Sequence, residues 1–168
     1  MKIISKIRAL LHIAAREDGA NLVETAVSCS VLFAMLFGMC QMSLAMYFYQ
    51  FTSEAAREAT RWAMVRGSTS CTNTPSLTKC GATAADITSY VQNLGFTGII
   101  SSNVNVTPQW CSASSSTPTT WGSCSGTTSN APNNLVKVTV SYPLSFHVPF
   151  GKSYSLNISS TSQMVISQ

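Results

Sequence analysis

The chain has 168 residues, of which only sixteen are charged: ten Lys or Arg and six Asp or Glu, a net +4. Twelve of these lie between Lys2 and Arg66, and from Cys71 on only Lys79, Asp86, Lys137 and Lys152 remain, so the back of the chain has no basic patch to neutralise nucleic-acid phosphates. Length allows one compact domain plus an anchor.

The residue inventory also argues against an enzyme. His12 and His147 are the only histidines, and the cysteines at 29, 40, 71, 80, 111 and 124 show no C-x-x-C or His-flanked spacing. No Ser/His/Asp or Cys/His set, metal centre or cofactor site can be assembled from them, and no small-molecule substrate is implied.

In chain order, a leader carrying Lys2, Lys6, Arg8 and Arg16 precedes Glu17, Asp18 and Gly19. Between Glu24 and Glu54 lie 29 uncharged residues, TAVSCSVLFAMLFGMCQMSLAMYFYQFTS, and about 20 predominantly apolar residues suffice to span a bilayer. A buried helix of a soluble protein would need cover on every face, which the Ser- and Thr-rich tail does not offer. The leader cations favour a cytoplasmic N-terminus and a translocated C-terminus, a bias weakened by Arg57, Arg61 and Arg66 on the far side. The apolar run continues straight into a charged helix, so an ordinary cleaved signal peptide fits poorly.

Gly19 followed by Ala20-Asn21-Leu22-Val23-Glu24, after a basic leader and before a long apolar run, resembles a type IV prepilin processing site. The resemblance implies a prepilin peptidase in the membrane that cuts after Gly19 on the cytoplasmic face, leaving Ala20 as the mature N-terminus. Glu24 then has a physical role. The new α-amine at Ala20, with a reference pKa of about 7.7–8.0, is largely protonated at neutral pH. Ala20 and Glu24 are four apart and share a helix face. A carboxylate in hydrocarbon is costly, and this amine, or that of a neighbouring subunit, offsets the cost. Without Gly19, a Glu snorkelling to the headgroups would be the simpler reading.

From about Asn21 to Arg66 nothing breaks a helix except Gly38, which membrane helices tolerate. About 45 residues would reach roughly 65–70 Å, about twice the hydrocarbon thickness, so the distal half stands outside the bilayer. There Glu54, Arg57, Glu58 and Arg61 form one polar stripe, and Phe51, Ala55, Ala59 and Trp62 form a packing face. Gly67 is the expected stop. Within the membrane, Ala26, Ser30, Ala34 and Gly38 recur every four residues, a spacing that lets helices approach closely. Met35, Met39, Met42 and Met46 make a second, flexible apolar row. Both rows have a competing reading as lipid-facing filler, and Cys29 and Cys40 read as small apolar filler in preference to redox sites.

Together, Gly19 to Glu24, the apolar helix, and Ala55-Ala56-Arg57-Glu58-Ala59 with Arg61-Trp62-Ala63 resemble the TadE-like family of minor pseudopilins from tight-adherence (Tad) pilus systems. Two departures stand out: Ala59-Thr60 where Gly-Ala is usual, and Thr25 where an aromatic often follows the Glu. The resemblance implies a single-pass protein of the bacterial inner membrane. Its partners would be the peptidase and, through the N-terminal helix, other pilins or pseudopilins.

After Gly67 the composition turns to Ser, Thr, Asn and Gly, as in solvated loops with short ordered elements between them. Thr83 to Leu94 reads as a short helix with Ala84, Ile87, Val91 and Leu94 on one side and Gly95 as its stop. Alternation predicts strands over Ser102 to Pro108, Leu135 to Tyr142 and Tyr154 to Ile166. These suit a three-stranded antiparallel meander packed on the exposed part of the long helix. Cys71 and Cys80 bracket one loop and Cys111 and Cys124 another. In an oxidising periplasm all four suit disulfides, with nearest-neighbour pairing preferred among three connectivities. Free buried thiols are the alternative. Trp110 and Trp121 either pack on the disulfide or offer a contact surface for a pilus subunit or glycan. His147 reads as a turn residue.

The expected architecture is therefore α+β and pilin-like: a leader over 1–19, a transmembrane and extended helix over 20–67, and an exported domain over 68–168. The function expected is association in pilus assembly or secretion, with no reaction catalysed. The alternative is a membrane-anchored surface binding module or adhesin with an uncleaved anchor.

Overall fold

A computed structural model describes residues 2–112, 130–146 and 152–167. The fold is α+β: a long N-terminal apolar helix, then a small domain with a short helix and a three-stranded antiparallel sheet. The chain divides into two compact units, Met1–Ser43 and Leu44–Gln168.

Helix α1 runs from Lys2 to Met64, and no proline occurs before Pro75 to interrupt it. It begins well before the expected Asn21. The leader is rich in Ile, Leu, Ala, Lys and Arg, all compatible with a helix, and Gly19 alone is too small a penalty to stop it. Three hydroxyls in the apolar stretch are satisfied within the helix: Thr25 Oγ1 donates to the Asn21 carbonyl (2.8 Å), Ser30 Oγ to that of Val27 (2.7 Å) and Ser43 Oγ to that of Met39 (3.0 Å). That pattern removes the cost of unpaired polar groups on an apolar helix.

At its other end α1 stops at Met64, slightly ahead of Gly67. Its terminal carbonyls find partners from distant segments. Ser167 N–H donates to the Met64 carbonyl (3.1 Å) and Ala82 N–H to that of Arg66 (3.0 Å). Gly67 is buried, and its carbonyl accepts from Ser70 and Gly81. Helix ends leave orphan carbonyls, and here the chain after the helix satisfies them.

In the second unit, α2 spans Ser70–Asn73 and α3 spans Ala84–Gln92. Thr83 caps α3 in a reciprocal box with Asp86, which satisfies two free N–H groups. Gly95, at φ +67°, turns the chain after α3.

Strands β1 (Asn105–Cys111), β2 (Leu135–Phe146) and β3 (Tyr154–Val165) form an antiparallel sheet in the order β1-β2-β3. Residues 101–103 form a 3-10 turn, so β1 starts later than expected. It then continues through Pro108, which an edge strand accepts. Strand β2 runs past Tyr142 through Pro143. Pairing with β1 ends at Asn105 opposite Ser141, so Pro143 has only β3 beside it and forfeits no ladder bond on the open side.

The inner face of β2 buries Val136, Val138, Val140, Tyr142 and Leu144. Opposite lie Phe51, Ala55, Ala56, Ala59 and Ala63 of α1, with Ile87 and Val91 of α3 completing the core. Alanines on the helix face keep its surface low, so the β-branched row of the central strand can approach closely. Strand β3 runs alongside this part of α1. Ser167, just past β3, bonds Met64, and Tyr142, paired with Ile158, packs on Phe48 and Phe51.

Candidate functional site

No three His, Cys, Asp or Glu side chains converge on a metal-sized site among the described residues. The residues expected at the processing site and in packing with other helices lie on α1. Gly19, Ala20 and Glu24 are within the helix and exposed. A Cβ added at Gly19 or at Gly38 meets nothing within 4 Å, so neither glycine is demanded by packing within the chain. Among the described residues Glu24 has no ion-pair partner.

Ala26, Ser30, Ala34 and Gly38 are exposed along one side, with the Ser30 hydroxyl already bonded to its own helix. That row therefore presents small apolar surface. Met35, Met39, Met42 and Met46 are exposed as well, and Cys29 and Cys40 are free exposed thiols. Gly19–Met64 is long and apolar enough to cross a membrane by length and composition.

Further along α1 the two expected faces separate. Glu54, Arg57, Glu58 and Arg61 are exposed, whereas Phe51, Ala55 and Ala59 are buried and Trp62 is partly buried against the core. The buried set also includes Thr52 and Thr60. Their hydroxyls donate to the Tyr49 (2.9 Å) and Ala56 (2.6 Å) carbonyls, so they pack as apolar residues.

Aromatic contacts anchor this stretch, and sequence reasoning did not single them out. Tyr90 of α3 stacks on Trp62 with centroids 5.0 Å apart and donates to Glu58 Oε1 (3.0 Å). Arg66 lies 4.3 Å over the Trp62 ring, a cation–π arrangement. Burial, then the hydrogen bond to Glu58, raises the Tyr90 pKa above its ordinary value of 10.0. Tyr47 Oη donates to the Thr97 carbonyl (2.6 Å), fixing the loop after α3. The only cue in the sequence is that these aromatics flank runs of apolar periodicity.

Cys71 and Cys80 are bonded, with Cα atoms 5.5 Å apart. Cys111 is buried and disulfide-bonded, while Cys124 lies outside the described residues. Trp110 is half-buried, packed against the core from β1. Trp121 and His147 lie outside the described residues.

The family model described as TadE-like protein matches residues 19–61, about a quarter of the chain. The match opens on Gly19 and ends on Arg61, so it takes in the junction, the apolar helix and the charged stripe. No curated protein and no solved structure matches the chain.

Proposed function

From a chain that is TadE-like through residues 19–61 of its N-terminal helix, we propose a pseudopilin, a single-pass membrane protein that takes part in assembly or secretion of Tad (Flp-type) pili. A prepilin peptidase removes residues 1–19 on the cytoplasmic side. The mature helix crosses the inner membrane, and residues 68–168 are exported. The mechanism is association: the small-residue row from Ala26 to Gly38 packs against other pilin helices, and Glu24 with the new amine of Ala20 sets their register.

One observation carries this reading: the match begins at Gly19, a glycine for which the packing of the chain itself has no use. Three features support it. The span is long and apolar enough for a bilayer. The hydroxyls of Thr25, Ser30 and Ser43 are satisfied within the helix. The domain contains disulfides, as suits an oxidising compartment. Mass spectrometry of the membrane fraction tests the reading. An N-terminus at Ala20 is expected; an intact Met1, or a cut well beyond Phe51, overturns the processing step.

A further inference from the structure

The unit Leu44–Gln168 exposes its large apolar side chains very unevenly. On α1 they are Leu44, Met46, Tyr47 and Tyr49, all in the helix's first turns within this unit. In the loop after α3 it is Ile100, 59% exposed, and on β3 they are Tyr154 and Leu156, 64% and 53% exposed. Val165, at the far end of β3, is the exception.

These side chains lie at one end of the unit. Tyr47 holds the loop by its bond to the Thr97 carbonyl, and Phe96 of the same loop packs edge-on against Phe51. The β2–β3 ribbon has its closed end there too, because β3 starts beyond Ile158, on the side away from the Ser167–Met64 contact. Tyr154 is four residues past Ile158, roughly 13 Å further along the strand. Leu156 and Tyr154 are paired with Leu144 and Phe146 and face the same way as the buried Tyr142 and Ile158. No described part of the unit covers them.

We infer that this end of the exported domain rests on an anionic phospholipid surface, held at three points by α1, the 96–100 loop and the β2–β3 ribbon. The inference depends on the membrane-spanning reading of α1 and adds to it that the domain itself touches lipid. Charge and side-chain type favour lipid as the occupant. Lys152, exposed two residues before β3, is a cation beside this patch, and after Glu24 no carboxylate occurs along α1 until Glu54. Basic residues near a membrane surface gain from anionic headgroups. Tyr49 and Tyr154, with an apolar body and a polar tip, suit the boundary between headgroup and acyl chain.

The test uses the full chain with Cys29→Ser and Cys40→Ser, reconstituted in phosphatidylethanolamine/phosphatidylglycerol vesicles that carry a nitroxide high on the lipid acyl chain. A thiol-reactive fluorophore is placed singly at Leu156→Cys, Ile100→Cys, Met35→Cys or Gln163→Cys, all outside the core. Labels at 156 and 100 are expected to lose most of their fluorescence, as does 35, while 163 on the polar outer face keeps it. Removing phosphatidylglycerol, or adding Lys152→Glu, is expected to reduce the loss at 156. Bright labels at 156 and 100 with a quenched label at 35 overturn the inference and leave the membrane span standing. A bright label at 35 overturns both. A label at 156 shielded from aqueous iodide yet untouched by the nitroxide means that protein covers the face, which overturns the lipid assignment.

Discussion

Tyr142 of β2 lies flat on Phe48 of α1, with ring centroids 4.9 Å apart and planes 9° from parallel. The same tyrosine meets Phe51 edge-on at 6.2 Å, so two turns of α1 are gripped by one residue of the central strand. Tyr142 is almost fully buried. Replacing it with Ala is expected to cost about 3–5 kcal/mol, the range for large aromatic-to-alanine changes in a core. The Tyr142→Ala/Phe48→Ala double-mutant cycle should return a coupling of about 0.5–1.5 kcal/mol. Denaturant unfolding in detergent, followed by near-ultraviolet circular dichroism, measures both. A coupling near zero would show that the rings merely lie side by side.

The start of α3 should give the domain an acid-sensitive element. Asp86 accepts from Lys79 Nζ (2.6 Å), from Thr83 Oγ1 (2.7 Å) and from Thr83 N–H (3.1 Å). The Lys79 bond first, then the Thr83 bonds, lower its pKa from 3.8 to about 2. A carboxyl with a depressed folded-state pKa stabilises the fold fully above its unfolded value, here near 3.8. That contribution declines as pH falls toward 2 and is gone below it. Melting temperature measured between pH 6 and pH 2 should show this decline in the native chain. Asp86→Asn should start lower and lose less across the same window, an expectation defeated if both curves fall in parallel.

Much of this architecture was legible because its signals are local. The uncharged run from Thr25 to Ser53 is long enough to span a bilayer, and the burial of Phe51, Ala55 and Ala59 opposite exposed Glu54, Arg57, Glu58 and Arg61 follows the helical period. The alternation Val136, Val138, Val140 and Tyr142 is that of a strand with one buried face. Less legible were features set by partners far along the chain. Strand β2 passes through Pro143 only because β1 has already ended. Tyr90 lies off the apolar side of α3, so nothing local ties it to Trp62 and Glu58. At the junction, Gly19 and Glu24 stand out in the sequence because of their spacing, yet the structure of a single chain leaves both without a contact that explains them.

The Tyr90–Glu58 bond should be visible by titration. Burial is the first cause of the raised Tyr90 pKa and the glutamate the second. Glu58→Gln should bring the tyrosinate transition down part of the way toward 10.0, with burial retaining the rest. Ultraviolet absorbance of tyrosinate against pH follows it, compared with Tyr90→Phe to assign the group. Because Glu58 is exposed, stability should change by only about 0.5–1 kcal/mol. An unmoved transition would mean that the carboxylate does not reach the phenol in solution.

The disulfide between Cys71 and Cys80 closes a loop of roughly ten residues, for which the chain-entropy model gives about 2–3 kcal/mol. For a domain of this size such a loss lowers the melting temperature by on the order of 10 °C. Cys71→Ser/Cys80→Ser should melt lower by about that amount under oxidising conditions. Adding reductant should lower it further, since Cys111 is bonded as well. A double variant that melts with the native chain would remove the structural role of this bridge.

Glu24 and Trp110 separate association through the helix from binding through the domain. Glu24 is exposed on α1, so Glu24→Ala should leave the melting of the domain unchanged. If the carboxylate pairs with an amine in the membrane, the same change should sharply reduce surface pili, counted by electron microscopy in cells whose own copy is deleted. Glu24→Gln should fail likewise, because the neutral amide keeps the shape and loses the charge. Trp110 is partly buried against the core, so Trp110→Ala should lower stability by about 2 kcal/mol, less than a fully buried aromatic would cost. Pilus number should then fall only in step with the amount of folded protein. Full piliation with Glu24→Ala, beside lost function in folded Trp110→Ala, would favour the anchored binding module, because the essential contact would then lie on the domain and not on the helix.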